Sequence, residues 1–466
     1  MKLKKLNLLF GLVLCIFFNL LILSSIYPTS LQPDRGIFES VAYRVIAGDK
    51  LYTQVWDNKD PIFYYLNALV LSINPIFDLH LELILFLGIS IVLYKINENI
   101  TKSKLANIAF SFFVSPLLII NFGYSAGYTH LPGILIIFLI LYSLLKNKVL
   151  IVAFLLALIL FTKILFFPMA LVMIFLKYKK SYVNFFKIFK YFLIFLLLFN
   201  LLFIIRGDFF GYYKSLYLNY KYASANRELL TGFQDIFMFK NLIVILLILI
   251  FISKIKNNKN YIKFYLYQVT LGTLIFGIII LILTGKFNHH IQILTPSIVL
   301  AFSIFSLAQL KNKFLTYAII FTLFTVLFWQ NNLINFQKNW NYIKWVYAND
   351  INVSPEANLL LKQSQIGDYA RLGQNDDNAH AKNLTKWRLI CPRFHQYPFE
   401  NIHILKGSLD CIKKADYLII SPTFKTYAGL VEWNKFVTMG NEIVSQRFRC
   451  EFDSSTRICR NIKKGS

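Results

Sequence analysis

Residues able to do chemistry are sparse in this sequence, and they fall in a few places. Asp34, Arg35 and Glu39 stand close together, and Arg44, Lys50, Lys59 and Asp60 follow. His130 comes next, then Lys163 in the middle of the apolar stretch Val149–Leu176. Last is Thr284–His290, which reads TGKFNHH and ends in His289 and His290. A carboxylate can take up a proton, and lysine and histidine can hold an anion. Proton transfer and anion binding are therefore what these residue types allow. There is no Gly-rich phosphate loop, no H-E-x-x-H and no G-x-S-x-G.

The elements that must position these residues are apolar. The chain has 466 residues, of which 57% are hydrophobic and 15% charged. Ordinary soluble domains carry about 25% charge. The apolar residues come in runs: Leu6–Ile26, Leu81–Tyr94, Tyr191–Ile205, Leu242–Ile252, Phe264–Leu283 and Ile291–Leu310. Several reach the roughly 20 residues that a helix needs to cross a bilayer core. They do not alternate polar and apolar as barrel strands do, so we expect a mainly α polytopic bundle of about eleven spans. Lys2, Lys4 and Lys5 precede the first run. That run is long for a signal peptide and no A-x-A site follows, so it reads as an uncleaved first span. Lysines crowd the short connectors at Lys95–Lys104, Lys146–Lys148, Lys177–Lys190 and Lys254–Lys263. This asymmetry places them and the N-terminus in the cytoplasm. The net charge of +26 is then mainly a topology signal. Nucleic acid is not an expected partner, because the basic residues form no single patch.

On the opposite side, the first loop, 27–79, is the longest in the apolar part. Asp34–Ala47 has helical spacing, with Ile37, Val41 and Val45 on one face and Phe38, Ala42 and Ile46 beside them. Asp34 stands as N-cap and Gly48 as the stop, which predicts an amphipathic helix along the membrane surface. A second juxtamembrane helix opens at Asp60-Pro61 and runs to about Ile73. Lysines flank Val149–Leu176 on both sides. Two short helices turning at Lys163 keep both lysine clusters inside, and an ionisable residue at that depth usually has a task. Gly123–His130, the tyrosine-rich Arg206–Lys240 and Thr284–His290 complete the outer face. A working site is expected there.

Residues 332–466 form a separate extracytoplasmic domain. Ala415–Ser421 reads as a buried strand, Arg388–Cys391 and Ile402–Leu405 as weaker strands, and Ala357–Gln363 as a helix. Cys391, Cys411, Cys450 and Cys459 all lie in this domain, as suits an oxidising compartment. Sequence order favours Cys391–Cys411 and Cys450–Cys459 among three possible pairings. No C-x-x-C pair supports the alternative of a zinc site. A small disulfide-bonded α/β domain is expected.

The stretch Asp34-Arg35-Gly36, then Gly48, Tyr52, Trp56-Asp57-Asn58-Lys59-Asp60-Pro61 and Tyr64-Tyr65-Leu66, resembles the first outer loop of GT-C glycosyltransferases. These include the dolichyl-phosphate-mannose protein mannosyltransferases and the bacterial lipid A aminoarabinose transferases. Their pattern is an acidic residue after the first span, a glycine, and a Lys-Pro segment opening a juxtamembrane helix. Phe161-Thr162-Lys163 and His289-His290 followed by Pro296 match further family features, and the resemblance covers residues 1–330. It implies an inverting transferase that moves sugar from a polyprenyl-phosphate donor to a lipid, glycan or protein acceptor. Asp34 would be the base, and Lys59, Lys163 and His289 the ligands of the donor phosphate. Glu39, Arg35, His130 and His290 are further candidates. His130 stands where many relatives carry a second acidic residue, and no essential metal or cofactor is expected. A ligase or polymerase of lipid-linked glycans, a transporter or flippase, and a non-catalytic scaffold remain as rival readings.

Overall fold

The computed structural model describes residues 33–57, 59–73, 77–121, 129–225, 261–284, 292–308, 360, 362–363, 365–373, 387–391, 402–453 and 456–462. Helices predominate among them, with one small sheet near the C-terminus. Contacts divide the chain into two units. One takes the described parts of 78–202 and 223–348. The other takes those of 31–77, 203–222 and 349–466. The first outer loop of the sequence reading thus shares a unit with the C-terminal sheet.

The helices of the two units, in chain order, begin with α1 (Pro33–Ile46), α2 (Pro61–Ile73), α3 (Phe77–Asn97), α4 (Lys104–Ala109) and α5 (Ser115–Asn121). They continue with α6 (His130–Leu145), α7 (Val149–Thr162), α8 (Phe167–Tyr178), α9 (Tyr182–Arg206), α10 (Phe209–Ala225), α11 (Tyr261–Thr284) and α12 (Thr295–Ala308). A π turn, Phe110–Val114, joins α4 to α5.

The helical unit packs Leu, Ile and Phe side chains such as Phe86, Ile89, Phe110, Phe138 and Phe166 into one core. Some of its buried polar groups meet partners across helices. Asn97 Nδ2 donates to Ser111 Oγ at 3.0 Å, Ser111 Oγ to Asn107 Oδ1 at 3.0 Å, and Ser303 Oγ to Asn97 Oδ1 at 2.5 Å. Ser297 Oγ donates to Thr273 Oγ1 at 2.8 Å. Such pairing is required wherever water is excluded.

Two helices, Tyr182–Arg206 and Tyr261–Leu283, are long and apolar enough to cross a membrane. The other apolar helices described are shorter, and two pairs are interrupted. The sequence predicts a break at Lys163, and α7 does stop at Thr162. Lys163 is extended (φ −162°, ψ 87°), and a single 3-10 turn, Ile164–Phe166, leads into α8. Pro168, at the start of α8, explains the break. Its ring would clash with the carbonyl of residue 164 in a continuous helix. The expected runs Leu6–Ile26 and Leu242–Ile252 lie outside the described residues.

In the second unit, α1 begins at Pro33, so Asp34 sits inside its first turn rather than capping it. The predicted stop is found. Gly48 has φ +95°, its N–H donates to Val45 C=O at 3.1 Å, and Asp49 N–H reaches back to Arg44 C=O at 2.9 Å. This is the paired closure of a Schellman end. The predicted apolar face, with Phe38, Val41 and Ala42, is buried. It packs on α2, where Phe38 meets Phe63 edge-on at 5.0 Å. Helix α2 keeps its predicted bounds, with Pro61 first.

The sheet contains β1 (Asp368–Leu372), β2 (Arg388–Leu389), β3 (Tyr417–Ile420), β4 (Phe448–Asp453) and β5 (Thr456–Asn461), in the order β2-β1-β3-β5-β4. The first three are parallel and the last two antiparallel. Helices α13 (Ile402–Ile412) and α14 (Val431–Arg447) cover one face through Leu405, Leu409, Trp433 and Phe436. The strand expected at Ile402–Leu405 is instead the start of α13. Ile402, Leu405, Leu409 and Ile412 recur at helical rather than strand spacing. Cys391–Cys411 ties the chain after β2 to α13, and Cys450–Cys459 joins neighbours on β4 and β5. Most of the helix expected at Ala357–Gln363 lies outside the described residues.

Two glycines should respond in opposite senses to the same substitution. An added Cβ meets nothing within 4 Å at either Gly48 or Gly407, and only Gly48 has positive φ. Gly48→Ala should cost about 1–2 kcal/mol through backbone strain. Gly407→Ala, inside α13, should add about 0.4–1 kcal/mol by restricting the unfolded chain. Thermal unfolding of the purified protein reads both, and shifts of the same sign would contradict this account.

Candidate functional site

Lys59 sits on a short scaffold between α1 and α2. Gly48 ends α1, and the chain then turns tightly. Tyr52 takes positive φ (65°), and its N–H donates to Val55 C=O at 2.6 Å. The Tyr52 hydroxyl reaches forward and donates to Lys59 C=O at 2.6 Å. Lys59 is half-buried, with Nζ 5.6 Å from the Phe38 ring centroid.

Three buried aspartates brace the same region, each accepting a tyrosine hydroxyl. Tyr64 donates to Asp57, and Tyr212 donates to Asp60 at 3.5 Å. Tyr65 donates to Asp208, which also takes the Arg206 Nε–H at 3.3 Å. The Arg206 guanidinium lies 4.7 Å from the Tyr65 ring centroid. Tyr52 and Tyr212 pack with ring centroids 5.5 Å apart. The part of Arg206–Lys240 that is described is therefore not an open loop. It folds as α10 from Phe209 to Ala225, with Tyr212 and Ser215 on its buried side. Sequence alone assigns no site role to Asp57, Asp60 or Asp208, although the first two stand in the Trp56–Pro61 stretch. The tyrosine-rich stretch was the available signal, but nothing in it told which carboxylates the phenols would meet.

In the helical unit, Lys163 and His130 come to the same end of α6. His130 opens that helix and is fully buried, with its ring 6.3 Å from that of Phe166. One turn on, a Cβ added to Gly133 would lie 2.6 Å from the Phe166 ring and 3.2 Å from Lys163 Cβ. The glycine thus lets the broken segment pack directly on the first turn of α6. Lys163 is only 8% exposed, and Thr162 Oγ1 caps the preceding turn by donating to Leu158 C=O at 2.8 Å.

Asp34, Arg35 and Glu39 all lie on α1, with Asp34 and Arg35 in its first turn. Asp34 and Lys59 thus belong to one unit, and His130 and Lys163 to the other. His289 and His290 lie outside the described residues. Among the described residues, no three His, Cys, Asp or Glu side chains gather as a metal site would require. The chain matches no family model, and a search of curated proteins finds no match either.

The bracing phenols share one electrostatic character. Burial pushes Tyr52, Tyr64, Tyr65 and Tyr212 up from the ordinary tyrosine range, and neighbouring phenols and carboxylates add to it. They are hydrogen-bond donors, and they remain so at any physiological pH. A phenol whose pKa is raised on folding contributes stability in full below its unfolded value near 10. That contribution is lost as pH climbs through the raised folded value. We expect these four phenols to ionise only as the protein unfolds at high pH. Phenolate absorbance followed beside circular dichroism tests this. Titration of every tyrosine near pH 10 with the fold intact would rule it out.

Proposed function

We propose that the chain is a polytopic membrane glycosyltransferase working at the outer face of the cytoplasmic membrane. It transfers sugar from a polyprenyl-phosphate donor to a hydroxyl of a lipid, glycan or protein acceptor. The observation that carries the reading is Lys163, a lysine buried at a helix break in an apolar bundle and packed on the first turn of α6 at Gly133. An ionisable residue at such depth in an apolar bundle is a functional-site candidate by default. The order of Asp34, Lys59, Lys163 and the His289-His290 pair along the chain adds the resemblance to GT-C enzymes.

The roles follow from the chemistry. Asp34 takes the proton from the acceptor hydroxyl. The acceptor oxygen forms a bond to the anomeric carbon while the bond from that carbon to the phosphate oxygen breaks, with inversion. The leaving polyprenyl phosphate gains negative charge, which Lys59, Lys163 and His289 offset. Arg35, Glu39, His130 and His290 are secondary candidates for the same surroundings. The apolar bundle would hold the polyprenyl chain, and the soluble domain would stand outside the membrane.

The test is sugar transfer by purified protein with a panel of polyprenyl-phosphate sugars. Asp34→Asn should lower turnover by about 10²–10⁴-fold, the usual worth of a positioned base. Lys163→Met should raise donor KM or lower kcat by about 10²–10³-fold, as removal of a charge-stabilising donor does. Transfer that survives Asp34→Asn would return that aspartate to a helix-start role. If no donor is consumed, the glycosyltransferase reading fails, and lipid-linked substrate transport across the broken helices becomes the better account.

A further inference from the structure

The scaffold around Lys59 is anchored from an unexpected direction. Arg44 lies in the last turn of α1, and its guanidinium reaches three segments. Nε donates to Asp49 at 2.6 Å, NH2 to Gln54 C=O at 2.5 Å, and NH1 to Cys391 C=O at 2.8 Å. The Gln54 side chain in turn accepts the Lys50 N–H at 2.8 Å. Gln54 sits inside the turn that presents Tyr52, and Tyr52 holds the Lys59 carbonyl. Cys391 is itself fixed to α13 by its disulfide with Cys411. A continuous line of bonds thus runs from the disulfide through Arg44, Gln54 and Tyr52 to Lys59.

We propose that Arg44 is a positioning residue for Lys59, and that the disulfide-bonded domain acts through it as part of the anion site. This rests on the reading of Lys59 as a ligand of the donor phosphate. Arginine is suited to the task, since its rigid planar fork can meet three acceptors at once. A lysine offers a single flexible ammonium and cannot reproduce the fork. Tyr52 is the second member of the line, passing the position of the turn to the backbone of Lys59 itself. The soluble domain then has a defined part in binding. It holds a loop in register rather than touching the donor.

Two measurements on the full-length protein separate this proposal from the reading beneath it. The first is hydrogen exchange over Leu51–Asp60. Arg44→Ala and Arg44→Lys should both speed exchange there, and so should removal of the disulfide by Cys391→Ser with Cys411→Ser. The second is binding of polyprenyl phosphate, taken through a double-mutant cycle. Arg44→Ala should weaken binding by between about ten- and a hundredfold, in line with the effect of a small misplacement. Tyr52→Phe should cause part of the same loss. Neither change should weaken binding further once Lys59→Ala is present, because Arg44 and Tyr52 act through that lysine. Unchanged exchange in Arg44→Ala overturns the proposal, and so does a loss that simply adds to that of Lys59→Ala. If the wild type binds no polyprenyl phosphate, the transferase reading falls. The exchange measurement then still decides whether Arg44 holds the turn.

Discussion

A guanidinium with 12% of its side chain exposed cannot be left short of acceptors. Each unmet N–H would carry a desolvation cost of about 1–3 kcal/mol, more for a charged group. Arg44 meets this constraint by drawing in one carboxylate and two carbonyls from three parts of the chain. The geometry of the second unit follows from that demand. Helix α1 must end where Arg44 can turn outward, and the Schellman closure at Gly48 ends it there. The turn must fold back so that Gln54 offers its carbonyl. The strand β2 must bring Cys391 within reach, and its disulfide to α13 keeps it there.

The helical unit meets the same demand in part, with less polar material. Asn97, Asn107, Ser111 and Ser303 satisfy one another across four segments, one of them a π turn. The interruption at Lys163 has a local cause. Its backbone stays paired across the break, with Lys163 N–H donating to Ile159 C=O at 2.8 Å and Phe166 N–H to Lys163 C=O at 3.0 Å. Pro168 forces the break, and Gly133 allows it to pack. Both residues therefore help to set where the lysine lies.

How much of this can be read from the sequence depends on whether the cause is local. Pro61, Gly48, the Lys163 break and the β3 strand are all announced within a few residues of where they act, and the structure places them as expected. The two disulfides follow sequence order because each closes a short loop. Short apolar runs are ambiguous between strand and helix, and α13 was misread at Ile402–Leu405 for that reason. Helix α10 was hidden by its tyrosines and lysines, which blur the apolar period. The site's bracing is long-range. Tyr65 and Asp208 are 143 positions apart, and Arg44 and Cys391 are 347 apart. No local pattern specifies such partners, because they are chosen by the packing of whole elements.

The bracing also bears on which carboxylate can act as a base. A base must offer a lone pair to a substrate proton at hydrogen-bond distance. Asp49 is engaged with Arg44, Asp57 with Tyr64, Asp60 with Tyr212, and Asp208 with both Tyr65 and Arg206. Tyr64 and Tyr65 are adjacent on α2, and the Asp57 and Asp208 they hold are only 3% and 0% exposed. These carboxylates hold the loop by accepting from phenols and a guanidinium. The proposed base, Asp34, belongs instead to the opening turn of α1, at the far end of that helix from Arg44. If the proposed roles hold, one helix serves both, with Asp34 at its start and the clamp that positions Lys59 at its end.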